Sequence, residues 1–253
     1  MLVSTHGIIA QSESGTPSFS NTKSILLDGI DDFVNVTDNS NLSFGNGTTD
    51  SPFSISFWVN LDSLSGATNV FIGKDNGSPN REYAIGMFSN SDKVRFFIKN
   101  NGGNNQQSID STTQLTTGSW FHIVTTYSGV GGSNAADGMK IYINGSLETS
   151  TNVIKQSYTA MKNTTAPLTI GKYNASASQI SGTMDEVSIF NTELSQSDIT
   201  SIYGGGTPSD ISSISGLVSW WRFEGSGTTA TDSGSGGNNG TLTNGVTRSA
   251  DVP

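Results

Sequence analysis

GTMDEVSIFNTELSQSDITSIY, residues 182–203, decides the fold class. Asp185 and Glu186 open a short stretch in which Val187 and Ile189, with Met184 before them, point one way at period two. After a short break, Leu194, Ile199, Ile202 and Tyr203 recur at helical spacing. Ser195 suits an N-cap, and Gln196, Ser197 and Asp198 give the first turn the polar and acidic character that a helix start favours. The glycines at 204–206 stop it. The chain is otherwise strand-rich, so the expectation is an all-β protein with one short helix near 195–203.

Working outward, SILLDGIDDFVNV (24–36), FSISFWVNL (53–61), GSWFHIVTTY (118–127), MKIYINGSLE (139–148) and LTIGKY (168–173) each read as strands or a hairpin. The fourth turns on Asn144-Gly145, a strong hairpin signal. In this order, with 182–203 closing it, the set resembles a laminin-G-like, concanavalin A-type lectin/glucanase domain over roughly residues 24–203. The resemblance implies a two-sheet antiparallel jelly-roll sandwich. It leaves function open, because this sandwich hosts lectins, enzyme accessory modules and adhesive or structural domains.

The chain has 253 residues, enough for one sizeable sandwich with extensions. Its net charge of −9 and pI of about 4.5 argue against nucleic-acid binding, which needs a basic face. They argue equally against an anionic membrane surface. With no cysteine and only His6 and His122, disulfides, thiol catalysis and Cys- or His-rich metal sites are excluded. No stretch approaches the ~20 apolar residues of a membrane span. MLVSTHGIIAQSESG lacks a basic leader segment and a long apolar core, and makes a poor signal peptide. A protein of this kind working outside a cell would leave by lysis or by assembly into a particle.

Three regions follow. Residues 1–22 form a polar arm with a small apolar patch at Ile8-Ile9, either flexible or docked on a neighbouring subunit. Residues 23–206 form the jelly roll. Residues 207–253 form a C-terminal extension with an added strand at 216–224. GLVSWWRFEGSG resembles the stretch that ordinarily precedes the family's first strand, so the order looks permuted. Alternation puts Leu217, Ser219, Trp221 and Phe223 on one face, and Val218, Trp220 and Arg222 on the other. The strand either folds back on its own sandwich or adds to a neighbouring copy, which would make a homo-oligomer. The Gly/Ser/Thr/Asn-rich tail after Gly225 reads as irregular.

Asp28, Asp31 and Asp32 cluster at the first strand, and Asp185 lies on the last, which is often its neighbour in the resembled fold. Such oxygen ligands suit calcium, which many domains of this family bind. The same carboxylates also suit turn hydrogen bonds to the backbone, and both readings stand. Paired acids could mean glycoside hydrolysis. However, the alternating acids of the related glucanases are missing, and strand alternation would put Asp185 and Glu186 on opposite faces. His122, between Phe121 and Ile123, reads as packed rather than catalytic. No catalytic residue is assigned. Sugar binding in such folds uses aromatics with Asn, Asp and Arg from loops, and here the candidates are Asp75, Asn76, Arg81, Tyr83 and Tyr173.

The leading expectation is a non-enzymatic binding or structural module on an exterior surface. The composition, arm and permuted order resemble accessory virion proteins of bacteriophages, which implies a virion or extracellular location and partners that are host glycans or neighbouring subunits. The alternative is a secreted or surface bacterial lectin-like module.

Overall fold

A computed structural model of the chain describes residues 19–64, 68–100, 105–173 and 178–253. The apolar patch at Ile8-Ile9, His6, the turn at 101–104 and Asn174 lie outside the described residues. Strands run β1 (Ser24–Asp28), β2 (Phe33–Val36), β3 (Phe53–Leu61), β4 (Thr68–Asp75), β5 (Arg81–Phe88), β6 (Lys93–Lys99), β7 (Gln106–Gln114), β8 (Trp120–Tyr127) and β9 (Met139–Ile143). They continue with β10 (Ser146–Leu147), β11 (Thr151–Lys155), β12 (Leu168–Ile170) and β13 (Ser181–Phe190). After the helix α1 (Gln196–Tyr203) come β14 (Leu217–Trp221), β15 (Thr229–Ala230), β16 (Gly240–Thr243) and β17 (Thr247–Ser249). Among the described residues, two 3-10 turns, Ser40–Leu42 and Gly132–Gly138, join a single α-helix.

Two antiparallel sheets result. The first runs β10-β9-β8-β3-β13-β1-β17 with β14 also on β13, and the second runs β11-β7-β6-β5-β4-β12-β2-β16-β15. Alternation makes the core. On β3, Phe53, Ile55, Phe57, Val59 and Leu61 face the second sheet and are fully or almost fully buried. Each such side chain contributes about 1.5–3 kcal/mol of burial. The β9–β10 hairpin turns on Asn144 and Gly145, both at positive φ (50° and 77°), as a two-residue turn requires. A Cβ on Gly145 would lie 2.9 Å from the Tyr203 ring, so glycine lets the end of α1 rest on the turn.

α1 covers the outer face of the first sheet. Ser195 and Asp198 form a reciprocal capping box, and Gly204 ends the helix at φ 60°. Leu194, Ile199 and Ile202 pack on Val124, Tyr142, Phe190 and Trp220, forming a second small core. Tyr203 stacks on Trp58 and on His122, each at 5.8 Å between ring centres.

β13 is the organising strand. One edge pairs with β3, and the other is shared end to end: β1 takes Ser181–Met184 and β14 takes Val187–Phe190. Where the two meet, β13 bulges: residues 186 and 187 stand against Phe57 alone, and Glu186 sits at φ 48°. Asp185 pairs with Trp58 and Ser188 with Ser56, both on the outer face, while Val187 joins the main core. The inserted residue leaves Glu186 on the outer face beside Asp185, against Trp220. The expectation of opposite faces is corrected, because a bulge resets strand parity.

A second register shift, between Ile189 and Phe190, does the same to β14. Val218 enters the main core, and Leu217 moves to the Trp220 side, the reverse of simple alternation. β14 pairs with β13 of its own chain. The tail read as irregular supplies β15 and β16 to the second sheet and β17 to the first. Residues 19–22 are not a free arm. Asn21 Nδ2 donates to Asp185 Oδ2 at 2.8 Å, Thr22 is held by the Glu224 carboxylate, and Phe19 stacks on Trp220.

Candidate functional site

The outer face of the second sheet carries a cleft of about 230 Å³, lined by Thr68, Phe88, Arg95, Phe97, Lys99, Gln106, Tyr173 and Ser178. Its origin lies in the strands. On β6, Val94, Phe96 and Ile98 point into the core, so Arg95, Phe97 and Lys99 point out. Across the ladder, small residues face these large ones: Ala84 stands opposite Phe97 and Gly86 opposite Arg95. Gly73 pairs with Ala84, and a Cβ on Gly73 would lie 3.9 Å from the Tyr173 ring. A row of small side chains beside large ones is a depression, and Val70, Ala84 and Phe97 form its apolar floor with Phe88 and Tyr173 against them. The three aromatics meet edge to face, with ring centres 5.4–6.4 Å apart.

Polar groups rim this floor. Arg95 grips Asp110 with two hydrogen bonds, Nε to Oδ1 at 2.6 Å and Nη2 to Oδ2 at 2.9 Å. That carboxylate raises the guanidinium's pKa further. Lys99 Nζ lies 4.3 Å from the centre of the Phe97 ring. Burial lowers the Lys99 pKa, with Asp75 opposing and Arg81 adding to the fall. Tyr173 Oη donates to Asp75 Oδ2 at 2.8 Å, and Arg81 Nε approaches Asp75 Oδ1 at 3.6 Å.

Of the residues singled out for sugar binding, Asp75, Arg81 and Tyr173 therefore come together at one side of the cleft. Asn76 is exposed on the adjoining turn. Tyr83 is a correction: it is 0% exposed, donates to the Leu42 carbonyl at 2.8 Å and packs against Phe44 and Phe53. It shares parity with Ile85 and Met87, which face the core. Phe88, Arg95, Phe97, Lys99 and Gln106 were missed, although the alternation of KVRFFIK shows three cations and a phenylalanine on one face.

The carboxylates divide. Asp28, Asp31 and Asp32 converge, with an oxygen of each within 4.8 Å of the others. Asp185 is not among them: Asp28 pairs with Ser181, at the opposite end of the β1–β13 ladder. Asp28 Oδ1 accepts from the Ile30 and Asp31 amides, and Asp32 Oδ2 from the Asp28 amide, so the turn reading describes part of the cluster. Asp32 Oδ1 is buried without a hydrogen-bond partner. Burial and the Asp28 and Asp31 charges raise the Asp32 pKa. An orphaned buried oxygen beside two like charges fits a hard cation, which takes six to eight oxygens including backbone and water.

Asp185 and Glu186 form a sealed pair at the strand junction. Burial raises Asp185 to about 9, with the Glu186 charge adding and the Asn21 hydrogen bond opposing. Burial raises Glu186 to about 7, with the Arg222 charge and the Trp220 indole N–H holding it down. Both acids are spent on protein partners, and the pocket that Glu186 lines among the described residues, with Trp58 and Ile202, is only about 10 Å³. His122 is fully buried with Nε2 2.8 Å from Ser56 Oγ, and burial lowers its pKa to about 3. Its Nδ1 has no partner, so no acid orients this Ser–His pair.

The sequence matches the Laminin_G_3 family, described as the Concanavalin A-like lectin/glucanases superfamily, over residues 28–200. The chain belongs to the concanavalin A-like lectin/glucanase superfamily. No curated protein matches it significantly. Among solved structures, it resembles a presumptive carbohydrate-binding protein of Bacteroides ovatus ATCC 8483, with a TM-score of 0.64 at 19% identity, covering 91% of this chain and 60% of that one. A native heptameric SAP-like pentraxin from Limulus polyphemus superposes with a TM-score of 0.50 at 15% identity, over 88% of this chain and 96% of that one. A botulinum neurotoxin type C structure, whose cell entry is described as dependent on two ganglioside molecules, matches with a TM-score of 0.50 at 25% identity. That match covers 72% of this chain and 42% of the toxin chain, so this superfamily member spans less than two thirds of both the Bacteroides and the toxin chains.

Proposed function

We propose that this superfamily member is a non-enzymatic carbohydrate-binding module whose ligand occupies the cleft on the second sheet. The observation that carries the reading is the outward-facing aromatic floor of Phe88, Phe97 and Tyr173, set among polar groups that can fix a sugar's orientation. Sugars present apolar C–H faces ringed by hydroxyls, and this combination complements both. At about 230 Å³ the cleft is smaller than the ~300 Å³ lower bound usual for drug-sized ligands, which suits one sugar residue at a chain end. Membership of a lectin superfamily and the ganglioside dependence of the toxin support the same class of ligand. Among the described residues no helix is long and apolar enough to cross a membrane. An exterior surface, of a virion or of a cell, is the setting in which such a module meets glycans.

Asp28, Asp31 and Asp32 would hold a calcium ion, which would neutralise the three clustered charges and fix the loop after β1. The test is a glycan array probed with the purified chain, with calcium and again with a chelator, alongside Tyr173→Ala. Binding to a defined sugar class that Tyr173→Ala abolishes supports the proposal. Binding that survives chelation keeps the module and removes calcium from the ligand site. A folded chain that binds no glycan in either condition refutes the reading.

A further inference from the structure

We infer that the cleft takes an anionic carbohydrate, one whose carboxylate or sulfate group seats on the Lys99 ammonium. The inference rests on the carbohydrate-binding reading and specifies its substrate class. Lys99 is the loosely held cation of the site. Arg95 is committed to Asp110 through two hydrogen bonds. Lys99 Nζ makes no hydrogen bond among the described residues, and its nearest carboxylate oxygen, Asp75 Oδ2, is 4.0 Å away. That oxygen already accepts the Tyr173 hydroxyl, and the other oxygen of Asp75 accepts the Gly77 amide and faces Arg81. One carboxylate thus serves two cations.

Counting the rim, Arg81, Arg95 and Lys99 stand against Asp75 and Asp110, a local excess of one positive charge in a chain whose net charge is −9. The side chain of Lys99 is only 12% exposed, and its three donors reach water only through the cleft, with no protein acceptor in hydrogen-bonding range among the described residues. A ligand oxyanion entering the cleft displaces that water and supplies an acceptor as a charge-assisted hydrogen bond. Phe97 beneath the ammonium and Phe88 and Tyr173 beside it would carry the sugar ring. An aromatic floor alone would take a neutral sugar; the ammonium at its edge, only loosely paired with a shared Asp75, selects for charge.

The experiment compares, for the wild-type chain, matched oligosaccharides that are neutral, carboxylated or sulfated, at about 0.01 M and about 1 M salt, where the screening length falls from about 30 Å to about 3 Å. The expected result is tighter binding of an anionic member, weakened by salt, with Lys99→Met losing about tenfold in affinity for it. The methionine keeps an apolar stem over Phe97. Which anion wins separates a uronate or sialic-acid-type carboxylate from a sulfated sugar. Preference for the neutral member, independent of salt, overturns this inference and keeps the carbohydrate-binding reading; no binding of any member overturns both. If Lys99→Met fails to fold, the wild-type comparison at the two salt concentrations decides.

Discussion

Replacing Asp185 with asparagine should make the protein more stable in mild alkali and flatten its pH dependence. The folded-state pKa of Asp185 is raised to about 9, against an ordinary 3.8. Within that window the folded protein holds a proton that the unfolded chain has released, so stability falls by about 1.4 kcal/mol per pH unit as pH rises. Other groups overlap at lower pH, where burial also raises Asp32, Asp50 and Glu82. Glu186 acts in the same direction up to about 7. His122, lowered from 6.5 to about 3, acts in the opposite direction, its neutral form favouring the fold as pH rises through that range. Above about pH 8 Asp185 stands apart from both, and between 7 and 8 Glu186 adds a small slope of the same sign that the variant keeps. From pH 7 to pH 8.5 the wild type should lose about 2 kcal/mol through this residue, which for a chain of this size is about 4–8 °C in melting temperature. Asp185→Asn cannot ionise; its side-chain oxygen can still accept the Glu186 amide, and its amide donates to Asn21 Oδ1 once the Asn21 amide flips. Urea unfolding at pH 7.0, 7.5, 8.0 and 8.5 measures both slopes. Equal slopes for wild type and variant would mean that Asp185 is ionised in the fold, and the reasoning from burial would fail.

Three further outcomes follow from the same structure. Lys74 is fully buried between Asp38, Glu82 and two backbone carbonyls, so Lys74→Met strands a buried carboxylate and should cost about 3–5 kcal/mol in urea unfolding. Ser195→Ala removes the capping box of α1 and should cost about 1 kcal/mol, read as a lower urea midpoint at unchanged slope. Calcium at about a hundred times its dissociation constant should stabilise the chain by about 2.7 kcal/mol, and Asp32→Asn should remove most of that gain in a thermal melt.

Much of the fold was legible because its signals are local. The capped helix, the Asn144-Gly145 turn and the alternating core strand β3 each follow from a few adjacent residues. The two bulges were harder, yet one left a trace. Met184 and Val187 both face the core although they are three positions apart, while Val187 and Ile189 are two apart. That parity slip marks an inserted residue, and it puts Asp185 and Glu186 side by side. The site was less legible because it is assembled across strands. Tyr83 looked like a ligand group beside a loop, but its parity with Ile85 and Met87 takes it inward. Phe97 and Lys99 were visible as one face of β6, and only the register that sets Ala84 and Gly73 beside them turns that face into a cleft. The Gly/Ser-rich tail carries little apolar pattern. Its strands form because β1 and β2 offer open edges, which is information held by the sheet rather than by the tail.

The most direct test is a crystal structure of the chain with the oligosaccharide that binds it best. The account predicts a sugar ring against Phe88, Phe97 and Tyr173, with an oxygen within hydrogen-bonding distance of Lys99 Nζ. A sugar bound at the Asp28–Asp32 loop or on the face of the first sheet, with this cleft empty, would contradict it.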